Sequence, residues 1–178
     1  SETDIAVELD LDGEGRVDVE TGVPFFDHML DALGRHALLD LTVRATGDVE
    51  IDAHHTVEDV GICIGQAISE ALGERRGIRR FGSAVVPMDE ALVLCALDVS
   101  GRGHLSDAVD MPIEVGGTFD TTLAKEFMVA VATNAGITVH LNGLAGENAH
   151  HIIEAAFKAF ARGLYEAVSI DPRVADVP

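Results

Sequence analysis

The chain has 178 residues, and 47% of them are hydrophobic, which is enough for a folded core and excludes a disordered chain. Its 31 acidic and 12 basic residues give a formal net charge of −19, so a general nucleic-acid-binding protein, which needs a basic face, is not expected. No apolar run approaches the roughly 20 residues of a membrane span, and no export signal opens the sequence, so we expect a cytoplasmic protein without a membrane partner.

The first half of the sequence predicts three strands and two helices. Residues 5–13 alternate between apolar and polar before a Gly-containing turn, as a hairpin strand does. Residues 24–38 carry apolar positions at helical spacing with Pro24 near the start, and residues 55–73 form a second helical pattern that ends at a glycine. Residues 39–47 and 49–53 are predicted to be short strands.

The second half repeats this order. Residues 91–101 and 137–144 are predicted to be strands, and residues 121–136 and 150–168 are predicted to be helices.

Four pairs of segments match between the two halves, at offsets of 88, 93, 96 and 96 residues: 8–15 with 96–103, 26–30 with 119–123, 39–43 with 135–139, and 54–72 with 150–168. We therefore predict an α+β fold made of two duplicated half-domains, residues 1–88 and 89–178, within one globular domain. Each half-domain would place its helices against one face of a small sheet.

A His-His-x-x-Glu motif occurs once in each half, as His54, His55 and Glu58 and again as His150, His151 and Glu154. Residues four apart lie on one face of a helix, so the first histidine of each motif pairs with its glutamate. The second histidine points about 100° away, because a helix has 3.6 residues per turn. Two such motifs brought together can build two metal sites, each with a His–Glu pair from one motif and the single histidine from the other.

Imidazole and carboxylate ligands together suit divalent Mn, Fe, Co, Ni or Zn, and the absence of cysteine from the motifs argues against a structural zinc site. A single motif of this kind also fits a helix start with exposed histidines, and it is the duplication that favours a metal. His28 is a further candidate ligand, although it could instead pack on Phe25 or Phe26. We expect His36, His104 and His140 to have structural or surface roles.

The chain resembles the imidazole glycerol-phosphate dehydratase family of histidine biosynthesis. The similar segments extend over nearly the whole chain: TGVPFFDHML (21–30), DAHHTVEDVGI (52–62), GIRRFG (77–82), MDEAL (88–92), LDVSGR (97–102), FD (119–120) and HHIIEAAFKAFAR (150–162). The resemblance implies a fold similar to domain 2 of ribosomal protein S5 and a hydro-lyase that converts imidazole glycerol phosphate to imidazole acetol phosphate. It also implies two Mn²⁺ ions per active site, with sites built between subunits of a homo-oligomer in which trimers assemble into 24 chains.

The resemblance also implies the metal ligands. One metal would take His28, His55, His150 and Glu154. The other would take His54, Glu58, His151 and a residue after FD, where many family members carry histidine. This chain has Glu126 there, in the segment KEFM (125–128). A carboxylate can also bind Mn²⁺, but a solvated helix-surface glutamate is the alternative.

Further residues match the family's substrate contacts. Arg80, Arg102 and Lys158 stand at its phosphate-binding positions, and forked arginine donors suit a phosphate dianion. The neighbouring Arg79 is expected to be a salt-bridge partner instead. The opening ETDI resembles a family segment whose glutamate reaches a neighbour's active site, so Glu2 is a candidate proton carrier or substrate contact, with a frayed terminal residue as the alternative.

The expected chemistry explains why two metals are needed. The proton to be removed lies on the carbon attached to the imidazole ring and is only weakly acidic. If both ring nitrogens bind a metal, the substrate is held as an imidazolate, which can expel the hydroxyl once a general acid protonates it. The carboxylates of Glu2, Glu58 and Glu154 are the candidate catalytic groups.

Two other classes of protein remain as alternatives, a di-metal hydrolase and a metal-binding cage. Separately, the acidity is spread along the chain rather than gathered in a tail, which suggests adaptation to high salt, with a merely acidic cytosolic protein as the alternative.

Overall fold

The computed structural model describes residues 3–47 and 49–178. Within these ranges, the helices are Pro24–Ala37 (α1), His54–Leu72 (α2), Leu123–Ala135 (α3) and Ala149–Val168 (α4). The strands are Thr3–Asp10 (β1), Val17–Glu20 (β2), Asp40–Gly47 (β3), Phe81–Met88 (β4), Ala91–Asp98 (β5), His104–Ala108 (β6), Val115–Gly116 (β7), Phe119–Asp120 (β8) and Thr138–Ala145 (β9).

The strand arrangement of the first sheet recurs in the second. In the first sheet, with order β1-β3-β2, β3 is antiparallel to β1 and parallel to β2. In the second, with order β4-β5-β9-β6, β9 is antiparallel to β5 and parallel to β6. The predicted α+β class with two small mixed sheets is therefore confirmed. The strand β4 precedes the predicted boundary at residue 88 but pairs with β5 of the second sheet.

The four helices lie between the two sheets. Helices α1 and α2 pack on the first sheet, α3 and α4 pack on the second, and the two pairs meet as α1 against α4 and α2 against α3. Alternating burial along β5 shows that one face of that strand points to this core, as a period of two residues requires. Among the described residues, each sheet thus carries its helices on the face that points to this core, as expected.

Two glycines allow α2 and α3 to approach closely. A Cβ atom added at Gly61 would lie 2.9 Å from the Cβ atom of Ala130, and one added at Gly65 would lie 2.9 Å from the backbone oxygen of Val131. Both glycines stand on one face of α2, four residues apart. A side chain at either position would push apart the helices that join the two halves.

The prediction of a strand at residues 49–53 is wrong. This segment forms turns and pairs with no strand of the described ranges. Ala53 is buried and Val49 is half-buried, but Ile51 between them is 86% exposed, so the alternating residues do not share one buried face. Its role is to lead into α2, since the Asp52 side chain accepts a hydrogen bond from the backbone N–H of His54 at 2.9 Å. The remaining predicted strands and helices are present with small shifts in their ends, but β1 is not the hairpin strand that was predicted, because β3 lies between β1 and β2. Among the helices of the described ranges, none combines the length and apolarity of a transmembrane segment.

Candidate metal centre and substrate site

Both His-His-x-x-Glu motifs lie in the first turn of a long helix, as their spacing predicts. Helix α2 begins at His54, and α4 begins one residue before His150. The side chain of Asn148 caps α4 by accepting a hydrogen bond from the backbone N–H of His151 at 3.2 Å. The Asn148 cap therefore fixes the start of α4 immediately before the second motif.

The second motif and α1 together form a cluster of three potential metal ligands. The Nε2 atoms of His28 and His150 lie 3.3 and 3.1 Å from Oε2 of Glu154. One ligand atom from each of the three residues lies within 4.8 Å of the other two. The Glu154 side chain is 7% exposed, whereas the two histidines are about half exposed. The cluster is thus anchored in the core and open on one side.

The donor set of this cluster fits a divalent cation. Two imidazole nitrogens and one carboxylate oxygen suit Mn²⁺ and the other borderline divalent metals. Within residues 3–47 and 49–178, this is the one group of three or more His, Cys, Asp or Glu side chains close enough to hold a metal ion.

Glu154 is held in its ionised form. Burial alone would raise its pKa, but hydrogen bonds from Lys158 and His150 and the positive charge of Lys158 lower the pKa to about 2. The Lys158 Nζ atom lies 2.6 Å from Glu154 Oε1, so the two carboxylate oxygens serve different partners. The predicted phosphate ligand Lys158 therefore stands at the edge of the metal cluster.

The first motif supplies a separate pair. The Nε2 atom of His54 lies 3.7 Å from Oε2 of Glu58, and both side chains are partly exposed. The His55 ring is perpendicular to the His54 ring, with centroids 6.0 Å apart. This is the divergence predicted for adjacent residues of a helix, and it turns His55 away from the His54–Glu58 pair.

His151 is held by a residue to which the sequence analysis gave no role. Its Nδ1 atom lies 2.7 Å from Oε2 of Glu90, and its Nε2 atom lies 3.8 Å from Oδ2 of Asp89. Asp89 and Glu90 form the turn between β4 and β5 and belong to the MDEAL segment. The similarity of this segment to the family could have marked it as part of the site. Nothing in its spacing, however, connects it to a histidine 61 residues away.

One chain does not bring the two motifs together. Helix α2 packs chiefly on α3 and the first sheet, whereas α4 packs on α1, β4 and β5. Among the described residues, neither His55 nor the His54–Glu58 pair joins the cluster of His28, His150 and Glu154. The crossed ligand sets predicted from the sequence are therefore incomplete within a single chain.

Of the two other predicted site residues, Glu126 and Glu2, the structure describes the first. Glu126 lies in the first turn of α3 and is half-buried. Glu2 lies outside the described residues.

The two predicted phosphate-binding arginines meet at Asp98. Arg80 donates through Nε to Asp98 Oδ1 at 2.7 Å, and the Arg102 Nη2 atom lies 3.7 Å from Asp98 Oδ2. Arg80 adopts a φ of 72°, a left-handed conformation that is unusual for a non-glycine residue. Asp98 is another residue that the sequence analysis missed, although it precedes Arg102 by four residues in LDVSGR.

The remaining predictions concern residues outside this site. Arg79 lies 3.9 Å from Glu166, which agrees with its expected role as a salt-bridge partner. His36 is exposed in the last turn of α1. His104 and His140 are exposed on neighbouring strands of the second sheet, with ring centroids 6.4 Å apart.

Comparisons with known proteins agree on one family. The model of the imidazoleglycerol-phosphate dehydratase family matches residues 21–164. The imidazoleglycerol-phosphate dehydratase of Jannaschia sp. (strain CCS1) is 61% identical over 176 residues, covering 99% of this chain and 90% of the relative. That of Symbiobacterium thermophilum is 62% identical over 177 residues, covering 99% and 85%.

Solved structures show the same fold. The crystal structure of imidazoleglycerol-phosphate dehydratase from Staphylococcus aureus matches with a TM-score of 0.87 and 40% identity, covering 94% of each chain. A structure of IGPD from Pyrococcus furiosus matches with a TM-score of 0.84 and 39% identity, covering 97% of this chain and 93% of the other.

Proposed function

The chain belongs to the imidazoleglycerol-phosphate dehydratase family, and we propose that it carries out this dehydration at paired metal sites shared between copies of the chain. It is a hydro-lyase that acts in histidine biosynthesis. This membership decides against the alternatives of a di-metal hydrolase and a metal-binding cage. Its cytoplasmic location remains a prediction from the sequence.

The observation that carries the proposal is the cluster of His28, His150 and Glu154, whose donor atoms fit a divalent cation. His55 from a neighbouring chain would complete this ligand set. His54 and Glu58 of that neighbour would join His151 and Glu126 in the second set. We propose Mn²⁺ as the metal, with two ions per active site and an assembly of trimers into 24 chains.

Two bound cations would supply Lewis acidity at the two ring nitrogens and so favour the imidazolate form of the substrate. The chain's own residues would bind the phosphate and move the protons. Arg80 and Arg102 are already directed to one place by Asp98, which favours a single phosphate dianion beside both guanidinium groups. Lys158 is proposed as a further phosphate contact, and it would add a positive charge at the edge of the metal cluster.

The proton steps require a carboxylate that can change its protonation state. Glu154 is occupied by His28, His150 and Lys158, whose hydrogen bonds and charge keep its pKa low, so we assign it to metal binding. Glu58 is 45% exposed beside His54, and with Glu2 it remains a candidate to receive the carbon-bound proton or to protonate the leaving hydroxyl.

Turnover is expected to depend on added Mn²⁺. Protein stripped of metal with a chelator should not dehydrate imidazole glycerol phosphate, and activity should return as about two Mn²⁺ bind per chain. The measurement is product formation during a Mn²⁺ titration, with light scattering on the same samples to follow the size of the assembly. Full activity in the metal-free protein would contradict the proposal.

We also propose that the surface is adapted to high salt. The outer face of the first sheet carries exposed acidic residues on β1 and β2: Asp4, Glu8, Asp10, Asp18 and Glu20. Like charges at this density repel one another, and molar salt screens that repulsion. The melting temperature should therefore rise by several degrees between 0.1 and 2 M KCl, at roughly 2–4 °C per kcal/mol for a chain of this size. A melting temperature that is flat or falls over this range would contradict the proposal.

A further inference from the structure

The turn between β4 and β5 is tied to the first turn of α4 by one side chain, that of Glu90. Its Oε2 atom lies 2.7 Å from Nδ1 of His151. Its Oε1 atom accepts hydrogen bonds from the backbone N–H groups of Asn148, at 2.9 Å, and Glu147, at 3.2 Å. Three donors from one helix start therefore converge on a single carboxylate.

This arrangement determines which nitrogen of His151 is free. An ionised carboxylate only accepts hydrogen bonds, so the shared proton must be on Nδ1 of the imidazole. In the neutral ring the lone pair is then on Nε2, the nitrogen that faces outward beside Asp89 at 3.8 Å. The same bond fixes the angle of the ring, because Glu90 is itself held by two backbone donors.

The neighbouring histidine needs no such support. His150 already directs its Nε2 atom at Glu154, at 3.1 Å, inside the ligand cluster of its own chain. The carboxylate of its own motif does not hold His151, since Glu154 is already occupied by His28, His150 and Lys158. Its orientation depends on the adjacent hairpin.

We propose that Glu90 is a positioning residue that presents Nε2 of His151 to the second metal site. The inference rests on the proposed function, because it takes His151 to be a ligand of a site completed by another chain. A carboxylate that accepts the far N–H of a ligating histidine fixes its tautomer and raises its basicity, and loss of such a partner typically costs about 10- to 100-fold in metal affinity.

The test compares Glu90→Ala and Glu90→Gln with the wild-type protein by calorimetric titration of Mn²⁺. The alanine variant should weaken one class of Mn²⁺ binding by about 100-fold, and glutamine, whose amide oxygen can still accept the Nδ1 proton, by about 10-fold. Binding at the site that contains Glu154 should stay within about twofold of wild type in both variants. Glu147→Gln is the matched control, because it removes a neighbouring exposed charge and should leave both affinities unchanged.

Melting temperatures of the metal-free proteins separate positioning from folding. Equal weakening of both classes, or a lower melting temperature with both affinities intact, would overturn the proposal, because either result describes a residue that only stabilises the start of α4. If the wild-type protein binds two Mn²⁺ per chain and turns over substrate while Glu90→Ala binds them equally well, the positioning role fails and the proposed function stands. A wild-type protein that binds fewer than two Mn²⁺ per chain would overturn both.

Discussion

Replacing Glu154 with glutamine is expected to remove about one of the two bound Mn²⁺ ions and to lower kcat by more than about 100-fold. Loss of a residue that only hydrogen-bonds to a metal ligand costs up to about 100-fold, and loss of the ligand itself should cost more. The substitution conserves shape but removes the charge that His28, His150 and Lys158 share. A neutral amide is a much weaker ligand for Mn²⁺ than a carboxylate is. The measurements are Mn²⁺ stoichiometry and steady-state turnover at saturating metal.

Loss of fold has to be separated from loss of metal in this variant. The Lys158 side chain is 19% exposed, and in Glu154→Gln it loses its carboxylate partner. An unpaired buried charge can lower the free energy of unfolding by about 3 kcal/mol or more. The double change Glu154→Gln with Lys158→Met removes both charges and should restore the melting temperature without restoring the metal. For this double variant the Mn²⁺ stoichiometry is the informative measurement. Turnover is not, because Lys158 is also proposed to bind phosphate and its loss would lower activity by itself. Two Mn²⁺ per chain in either variant would rule out Glu154 as a ligand.

Glu126, the carboxylate on α3 that is proposed for the other ligand set, allows the two metal sites to be compared. It lies in the first turn of α3, and the change Glu126→Gln should leave the Mn²⁺ ion at the site of Glu154 bound, as measured by the Mn²⁺ stoichiometry.

Local pattern was enough to predict the parts of the site that lie within one helix. The four-residue spacing places His54 near Glu58 and His150 near Glu154, and the divergence of the adjacent histidines follows from 3.6 residues per turn. The duplicated order of segments likewise anticipated two sheets with the same core arrangement. These features depend on short stretches of chain whose geometry is nearly fixed.

Contacts between distant segments were not predictable in this way. Glu90 meets His151 because β4 and β5 pack against α4, and Arg80 meets Asp98 because the pairing of β4 with β5 sets Phe81 opposite Asp98. The wrong strand at residues 49–53 has the same origin. Its alternating pattern is real, but the segment has no partner strand among the described residues, and its middle apolar residue, Ile51, is exposed.

Mixing two inactive variants is expected to restore activity if each active site draws on two chains. One variant, His54→Ala with His55→Ala, spoils the first motif and leaves the second intact. The other, Glu154→Gln, spoils the second motif and leaves the first intact. Random co-assembly in equal amounts leaves about one quarter of the shared sites with both motifs intact, so activity should rise from below about 1% to about 25% of wild type.

The control replaces the second partner with Glu58→Gln, so that both variants are damaged in the first motif and no mixed site is whole. That mixture should stay inactive at every ratio. Differently tagged chains allow the mixed assemblies to be isolated before the assay, which separates failure to mix from failure to complement. Activity that stays below about 1% in isolated mixed assemblies would contradict shared sites. The two motifs would then have to meet within one chain, against the packing of α2 on α3 and of α4 on α1 and the second sheet.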